Sequence, residues 1–132
     1  MPGRRLQPGI PPRLPKDLRT AWLLLLLRAE PSYGYVLRRK LGARGLEIEP
    51  GTLYRSLRDL EGDGLITSRW MDPAAGPRAR VYTITPAGER NLHVLAAAIE
   101  TARDTQMAFL TAYADAVHGR KPSGPAPWRR TR

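Results

Sequence analysis

The side chains best suited to chemistry in this chain lie between residues 49 and 84, and they are hydrogen-bond donors rather than nucleophiles. Arg55 and Arg58 are three positions apart, close enough to act together from one helix. A guanidinium donates in a planar fork that matches a phosphate or the edge of a guanine. Thr52 and Tyr54 supply hydroxyls beside them. This group therefore indicates recognition of nucleic acid rather than bond breaking.

A short helix is the element that would position these donors. Leu53, Leu57 and Leu60 recur at i, i+4 and i+7, so they form one apolar stripe that faces a core. The arginines project elsewhere. Pro50 suits the first helical turn, where its missing N–H would be unpaired anyway. One helix therefore offers both an anchor and a reading face.

Such a helix fits the major groove of B-form DNA, which is about 12 Å wide, and its first turns approach the base edges. The candidates for DNA contact on these turns are Pro50, Thr52, Tyr54, Arg55 and Arg58. Either arginine could fork onto a guanine, whereas Thr52 could meet a thymine methyl group or a phosphate, and Tyr54 a phosphate. The alternatives are ordinary solvated charges, or pairing of Arg58 with Glu61 or Asp63.

A basic hairpin is predicted after this helix. Residues 65–71 and 81–84 read as strands, and residues 72–77 between them are rich in turn formers. Arg78 and Arg80 alternate with Ala79, so they share one face and could clamp a DNA backbone. An exposed charged hairpin is also an ordinary solubility device. Trp70 is expected to pack at the base of this wing rather than to stack on a base.

The first helix is predicted at about residues 17–28, with Asp17 as a candidate N-cap. Its run Trp22–Leu27 is intensely apolar, but it is much shorter than the roughly 20 residues that span a bilayer. No small-residue cleavage site follows the run, so a signal peptide is not indicated. We expect a core helix of a soluble domain.

A second helix is predicted at about residues 33–41, with Ser32 as a candidate cap. Tyr33 and Tyr35 stand at its start, where the backbone N–H groups and the helix dipole favour an anion such as a DNA phosphate. Either tyrosine could instead belong to the core.

A long last helix is predicted from Pro86 to about residue 118, with Thr85 as its N-cap. Side chains then recur at alternating spacings of three and four, which is the seam of a helix packed along another helix. The seam consists of Leu92, Leu95, Ile99, Ala102, Gln106, Phe109, Tyr113 and Ala116. A symmetric homodimer would bury it. The alternative is a helix packed wholly on its own subunit.

The formal net charge of +10 is concentrated at the two ends. Residues 1–16 and 119–132 hold nine basic residues and no acid, whereas the rest of the chain holds 13 basic and 12 acidic residues. Both ends are therefore predicted to be disordered basic arms, which either attract phosphate without sequence preference or only aid solubility. The chain has no cysteine, which excludes disulfides and thiolate metal sites and suits a reducing cytoplasm.

An enzyme is not indicated. His93 and His118 are the only histidines, and neither lies in an arrangement typical of a catalytic triad or a metal site. Residues 42–45 lack the lysine and spacing of a phosphate-binding loop. We therefore expect no catalytic residue, no metal and no cofactor.

Five short motifs occur in an order and spacing that are more specific than any one of them. They are Tyr33-Gly34-Tyr35, Gly51-Thr52-Leu53-Tyr54, Leu57-Arg58-Asp59-Leu60-Glu61, Gly64-Leu65-Ile66 and Tyr82-Thr83-Ile84-Thr85-Pro86-Ala87-Gly88. In this combination the chain resembles the PadR family of bacterial transcriptional regulators over about residues 17–118. The resemblance implies a dimeric winged helix-turn-helix repressor whose third helix enters the major groove and whose wing touches the backbone or minor groove.

The predicted fold is mainly α: a winged helix-turn-helix of three helices plus a two-stranded β-wing, followed by a long C-terminal dimerisation helix. The predicted bounds are 1–16 for the N-terminal arm, 17–85 for the DNA-binding domain, 86–118 for the dimerisation helix and 119–132 for the tail.

The chain could also carry a site for a small effector molecule. Some similar short regulators stack flat aromatic drugs on a tryptophan of the last helix, but this chain has no aromatic residue between Pro86 and Ala108. A pocket for another small apolar molecule could be lined by Leu92, Trp22, Ala96, Ile99 and Arg103. The alternative is that these side chains simply fill the interface.

Two functions follow from these observations. The first is a homodimeric repressor that binds an inverted repeat in double-stranded DNA and is released by a small molecule or another signal. The second is a winged-helix adaptor that binds a protein, or a basic module that binds nucleic acid nonspecifically.

Overall fold

The computed structural model describes residues 14–73 and 76–119. Its elements in chain order are α1 (Lys16–Ala29), β1 (Ser32–Tyr33), α2 (Gly34–Ala43), α3 (Pro50–Gly62), β2 (Ile66–Met71), β3 (Ala79–Ile84) and α4 (Pro86–Val117). The fold is mainly α with a small antiparallel sheet, as predicted. The predicted arm and tail fall almost wholly outside the described residues.

Leucines from the first three helices form the core. The side chains that are almost fully buried are Leu23, Leu24, Leu27, Leu37, Leu41, Leu53, Leu57 and Ile66. Each such side chain contributes about 1.5–3 kcal/mol through removal of its apolar surface from water. Within the apolar run of α1, Leu25 is exposed, so the helix is buried on most but not all sides.

The sheet has three strands in the order β1-β3-β2, one more than the predicted wing. The hairpin pairs Ile66 with Ile84 at its base and Met71 with Ala79 towards its tip. The extra strand is only two residues long and pairs Ser32 with Tyr82. A strand this short has no alternation that a sequence pattern could reveal.

Two predicted helix caps are wrong. Ser32 lies in β1 and its hydroxyl donates to the Glu30 carbonyl at 3.3 Å, so α2 begins one residue later than predicted, after Tyr33. Helix α1 begins at Lys16 after Pro15, which places Asp17 in the first turn rather than at the cap. A carboxylate there still favours the positive end of the helix dipole.

The start of α4 is tied to the end of α3. The Thr85 hydroxyl accepts a hydrogen bond from the Gly88 N–H at 3.0 Å, which confirms the predicted cap, and donates to the Gly64 carbonyl at 2.7 Å. Gly88 packs so closely that a Cβ there would lie 2.1 Å from the Leu65 carbonyl oxygen. Only glycine fits this position without a shift of backbone.

The chain divides into two compact units, one up to Ala96 and the other from Ala97 onward. The first unit therefore includes the first turns of α4, which the predicted boundary at 85/86 had assigned to the dimerisation helix. Leu92 is buried in the core of this unit, and Leu95 packs against that core. Among the described residues, no helix is both long and apolar enough to cross a membrane.

Candidate nucleic-acid interface

Helix α3 presents the predicted donors on the side opposite its core stripe. Leu53, Leu57 and Leu60 are buried, as their spacing predicted, whereas Arg55 and Arg58 are exposed. Neither arginine makes a hydrogen bond or an ion pair with any residue that the structure describes. The predicted alternative, a pair between Arg58 and Glu61 or Asp63, is therefore not formed among these residues. Both guanidinium groups are available to an anionic partner.

The other predicted positions at the start of α3 differ in their exposure to solvent. Pro50 occupies the first helical turn as expected, and it is exposed. Thr52 is half-buried. Tyr54 has 38% of its surface exposed and lies against the beginning of α2.

A cavity of about 370 Å³ lies between the start of α2, the middle of α3 and the wing. Its lining residues are Gly34, Tyr35, Tyr54, Arg58, Trp70, Ala79, Arg80 and Tyr82. Four of the predicted DNA-contacting residues, from three different elements, therefore meet at one place: Tyr35, Tyr54, Arg58 and Arg80.

Glycine at position 34 brings Tyr54 into this cavity wall. A Cβ on Gly34 would lie 2.6 Å from Cε1 and 2.9 Å from the hydroxyl oxygen of Tyr54. The Tyr54 ring thus packs directly on the α2 backbone. Beside it, the rings of Tyr33 and Tyr35 stack at 5.5 Å between centroids. Tyr33 is half-buried in the sheet, whereas Tyr35 is exposed and reaches the cavity.

The wing carries its two arginines against a tryptophan. The guanidinium carbons of Arg78 and Arg80 lie 5.5 Å and 4.7 Å from the centroid of the Trp70 ring, so the predicted shared face is confirmed. Trp70 is half exposed and sits opposite Arg80 in the hairpin. The prediction that it packs at the wing base is wrong, because this position lies beyond the part of the hairpin that the core covers. Arg78 also lies 3.7 Å from the Asp72 carboxylate.

Hydrogen bonds connect the wing with the last turn of α3. The Ser68 hydroxyl contacts both carboxylate oxygens of Glu61, at 2.9 Å and 3.0 Å, and accepts from an Arg80 guanidinium nitrogen at 2.9 Å. A hydroxyl can donate one hydrogen bond and accept others at the same time, so Ser68 joins the carboxylate to the guanidinium. The wing is therefore fixed to the helix that it flanks.

Tyr82 reports the electrostatics of this region. Burial raises the pKa of its hydroxyl, because the charged form would lose hydration. Arg80 and Arg58 act in the opposite direction and lower this pKa, whereas Glu61 and Tyr54 raise it. Two cationic groups from separate elements thus act on one buried phenol.

The residues predicted for dimerisation are divided by the structure. Leu92 lies in the core of its own chain, which leaves almost none of its surface for a seam between subunits. Ile99 is half-buried, and Ala102 is exposed. Phe109 and Tyr113 are exposed, and their rings stack at 6.1 Å.

None of the five residues predicted for an effector pocket lines this cavity. Trp22 is half-buried against the core, and the Arg44 guanidinium lies 5.3 Å from its ring centroid. Ala96 is exposed. Arg103 is paired with the adjacent Asp104 at 3.3 Å.

Sequence reasoning missed several residues of the site, namely Gly34, Glu61, Ser68, Ala79 and Tyr82, and misplaced Trp70. One available signal was strand alternation, which puts Ser68 and Trp70 on the same side of the hairpin as the buried Ile66. No comparable signal identifies Gly34. The space that a Cβ would need there is taken by the ring of Tyr54, which belongs to another helix.

A core of three helices, with a β-hairpin after the third helix, defines a winged-helix domain. Its third helix exposes two arginines that have no partner among the described residues. The model of the PadR-like transcriptional regulator family matches residues 23–94, more than half of the chain. The chain belongs to this family of transcriptional regulators, which implies DNA-binding regulation.

Individual relatives agree. The transcriptional regulator Rv3488 of Mycobacterium tuberculosis is 44% identical over 62 residues, which are 46% of this chain and 55% of that protein, so the match spans about half of the relative. Among solved structures, a PadR family regulator from Eggerthella lenta is 34% identical, with a TM-score of 0.60 and coverage of 71% of this chain and 86% of that one.

Two more solved structures have the same fold. A PadR-like transcription factor from Bacteroides fragilis is 31% identical, with a TM-score of 0.62 and coverage of 71% and 91% of the two chains. A transcriptional regulator from Thermoplasma acidophilum is 27% identical, with a TM-score of 0.66 and coverage of 72% and 92%.

Proposed function

We propose that the protein is a homodimeric repressor that binds a palindromic operator through α3 and the wing. The observation that carries this proposal is the pair of exposed arginines on α3, Arg55 and Arg58, which no described residue neutralises. An uncompensated guanidinium on the exposed face of a groove-sized helix can form forked hydrogen bonds to a guanine or a phosphate. We assign base reading to Arg55 and backbone contact to Arg58, Arg78 and Arg80.

The supporting contacts come from the predicted tyrosines and the first turn of α3. Tyr35 and Tyr54 supply hydroxyls at the cavity, where a phosphate group would accept their hydrogen bonds. We retain Tyr33, Pro50 and Thr52 as further candidates. Tyr33 and Thr52 are less accessible than Pro50, because part of each side chain is buried.

Dimerisation is proposed from the exposed apolar side chains of α4. They are Met107, Phe109, Leu110, Tyr113 and Val117, and each has at least half of its surface exposed. A second copy of the same helix would bury them, which is the usual fate of an apolar seam on a long helix. Because Leu92 is buried in its own chain, the proposed seam consists of Leu95, Ile99, Ala102, Phe109 and Tyr113. Two-fold symmetry would then place the two α3 helices in major grooves one helical turn apart, about 34 Å.

The test compares specific and nonspecific binding. A duplex containing an inverted repeat from the DNA upstream of its own coding sequence is titrated against a scrambled duplex at two salt concentrations. A specific regulator should prefer the repeat by about 10³-fold or more. Nearly equal affinities that fall steeply with salt would instead indicate the nonspecific basic module. Absence of binding to either duplex would favour the protein-binding adaptor.

Arg55→Ala tests the reading role directly. If Arg55 contacts a base, the substitution should weaken operator binding by about 1–3 kcal/mol and relax the preference at one base pair. Arg90→Ala is the matched control, since it removes the same charge from an exposed position on α4. Equal effects of the two substitutions would exclude a base contact by Arg55.

Release by a small molecule is part of the proposal, with Trp22 and Ala96 as candidate contacts. We infer that the protein acts in the cytoplasm, where its DNA target is found. Thermal shift with apolar compounds, repeated on Trp22→Leu, tests these contacts. A compound that stabilises both proteins equally does not use Trp22.

A further inference from the structure

The cavity between α3 and the wing contains two cationic groups that arrive from different elements. Arg58 comes from α3 and Arg80 comes from β3. Arg58 has no hydrogen-bond or ion-pair partner among the described residues. Arg80 donates to a neutral hydroxyl, that of Ser68, rather than to a carboxylate. Both guanidinium groups therefore keep donors for an anion from outside the chain.

Arg80 is held in place on two sides. Its guanidinium lies 4.7 Å from the centroid of the Trp70 ring and donates to the Ser68 hydroxyl at 2.9 Å. Ser68 is itself anchored by Glu61, whose two carboxylate oxygens lie 2.9 Å and 3.0 Å away. A long flexible side chain loses conformational freedom when it binds a ligand, and contacts that fix it beforehand reduce that loss. Ser68 thereby sets where the charge of Arg80 is presented.

The size of the cavity limits which ligands it could hold. Its volume of about 370 Å³ is many times the roughly 30 Å³ that one water molecule occupies in the liquid. It is therefore large enough for a phosphate group together with part of the sugar on each side. Tyr35 and Tyr54 lie on the same wall and are both exposed. Their hydroxyls are neutral donors of the kind that contact phosphate oxygens.

We propose that this cavity holds one backbone phosphate group of duplex DNA, shared by Arg58 and Arg80, and that Ser68 is the positioning residue that keeps Arg80 there. The proposal rests on the proposed function, since it presumes that the chain binds a duplex. It adds a defined site and an assigned role for a residue that does not itself touch DNA. One phosphate contacted by both elements would couple the position of the wing to that of the reading helix.

The first test replaces the phosphates of the inverted-repeat duplex, one linkage at a time, with uncharged methylphosphonates. At one linkage in each half-site, the replacement should weaken binding of the unaltered protein by about tenfold, the range for a hydrogen bond to a charged group. Arg80→Ala should cause a similar loss on the unmodified duplex and little further loss at that linkage. This non-additivity is the signature of a direct contact. Arg58→Ala should show the same non-additivity at the same linkage.

The second test concerns Ser68. Ser68→Ala should weaken binding by about threefold to tenfold, and this loss should disappear on the duplex that lacks the charge at that linkage. Ser68→Thr keeps a hydroxyl and should restore most of the affinity. Thr67→Ala is the matched control, since this exposed neighbour points to the other face of β2. A purely structural role for Ser68 would lower the thermal midpoint and reduce binding to all the duplexes equally.

The outcomes separate the inference from the function on which it rests. If the unaltered protein prefers the repeat but Arg80→Ala is additive with every neutral linkage, the phosphate site is refuted and duplex recognition stands. If Ser68→Ala binds all duplexes like the unaltered protein, its positioning role is refuted. If the unaltered protein binds no duplex, the proposed function fails and the phosphate site fails with it.

Discussion

Replacement of Gly34 by alanine tests the packing that places Tyr54 at the candidate interface. The new Cβ would lie 2.6 Å from Cε1 of Tyr54 and 2.9 Å from its Cζ. Carbon atoms in good contact are about 3.5–4.0 Å apart, so the ring must retreat by about 0.9 Å or more. The obstacle is the end of a side chain that is 38% exposed, so the ring can move without unfolding the domain.

The expected magnitude follows from two opposing effects. Alanine in place of glycine stabilises a helix by about 0.5–1 kcal/mol, and displacement of Tyr54 from its preferred rotamer costs about 0.5–1.5 kcal/mol. The net change in the free energy of unfolding is therefore close to zero. DNA binding should change more, because a hydroxyl moved by this distance would lose the hydrogen bond to a phosphate that we propose for Tyr54. That loss is about 1.5 kcal/mol, or roughly tenfold in affinity.

Gly42→Ala is the matched control, because Gly42 lies in the same helix and a Cβ there would meet nothing within 4 Å. This variant should be more stable than Gly34→Ala by about 1 kcal/mol, a difference of about 4 °C in the thermal midpoint, and should bind DNA normally. The measurements are thermal unfolding at one fixed protein concentration and operator titration. If the two variants match each other in both measurements, Tyr54 is not held against Gly34 and the reasoning is refuted.

Two further predictions concern stability and assembly. Gly88→Ala should destabilise the domain by about 1–3 kcal/mol. The reason is that a Cβ would lie 2.1 Å from the Leu65 carbonyl oxygen, a backbone atom. A thermal midpoint equal to that of the unaltered protein would contradict this close packing. Phe109→Asp should shift the proposed dimer to monomer in analytical ultracentrifugation, because a charge would be buried in an apolar seam. The fold of the single chain should not suffer, since Phe109 is 64% exposed within it. Ala108→Asp is the control, because Ala108 is exposed and has no large apolar side chain three or four positions away in α4. An undisturbed dimer in both variants would place the interface elsewhere.

Periodic features of the fold were predictable from the sequence. The leucines of α3 recur at helical spacing, and the structure buries all three that were singled out. Thr85 is the N-cap of α4 because a hydroxyl before a proline and an early glutamate is a strong local signal. These predictions succeeded because the information lies within one turn or one stripe of the same element.

Features that depend on contacts between elements were not predictable. Ser32 resembled a helix cap, but it pairs with Tyr82, a residue 50 positions away, so its backbone is extended. The sequence predicts a packed Trp70, yet its ring lies against Arg78 and Arg80, which follow the hairpin turn and share a face with it. The Glu61 and Ser68 contact joins a helix to a strand whose register the sequence does not give. In each case the partner, rather than the residue type, decides the role.

The hydroxyl of Thr85 has a consequence for how a signal could reach DNA. It holds the first turn of α4 through the Gly88 N–H and the segment after α3 through the Gly64 carbonyl. Gly88 also packs against the Leu65 carbonyl oxygen, so the first turn of α4 and the segment after α3 are in close contact at a second point. A ligand that rotated the beginning of α4 would therefore also displace the short segment that follows α3, the helix proposed to read DNA.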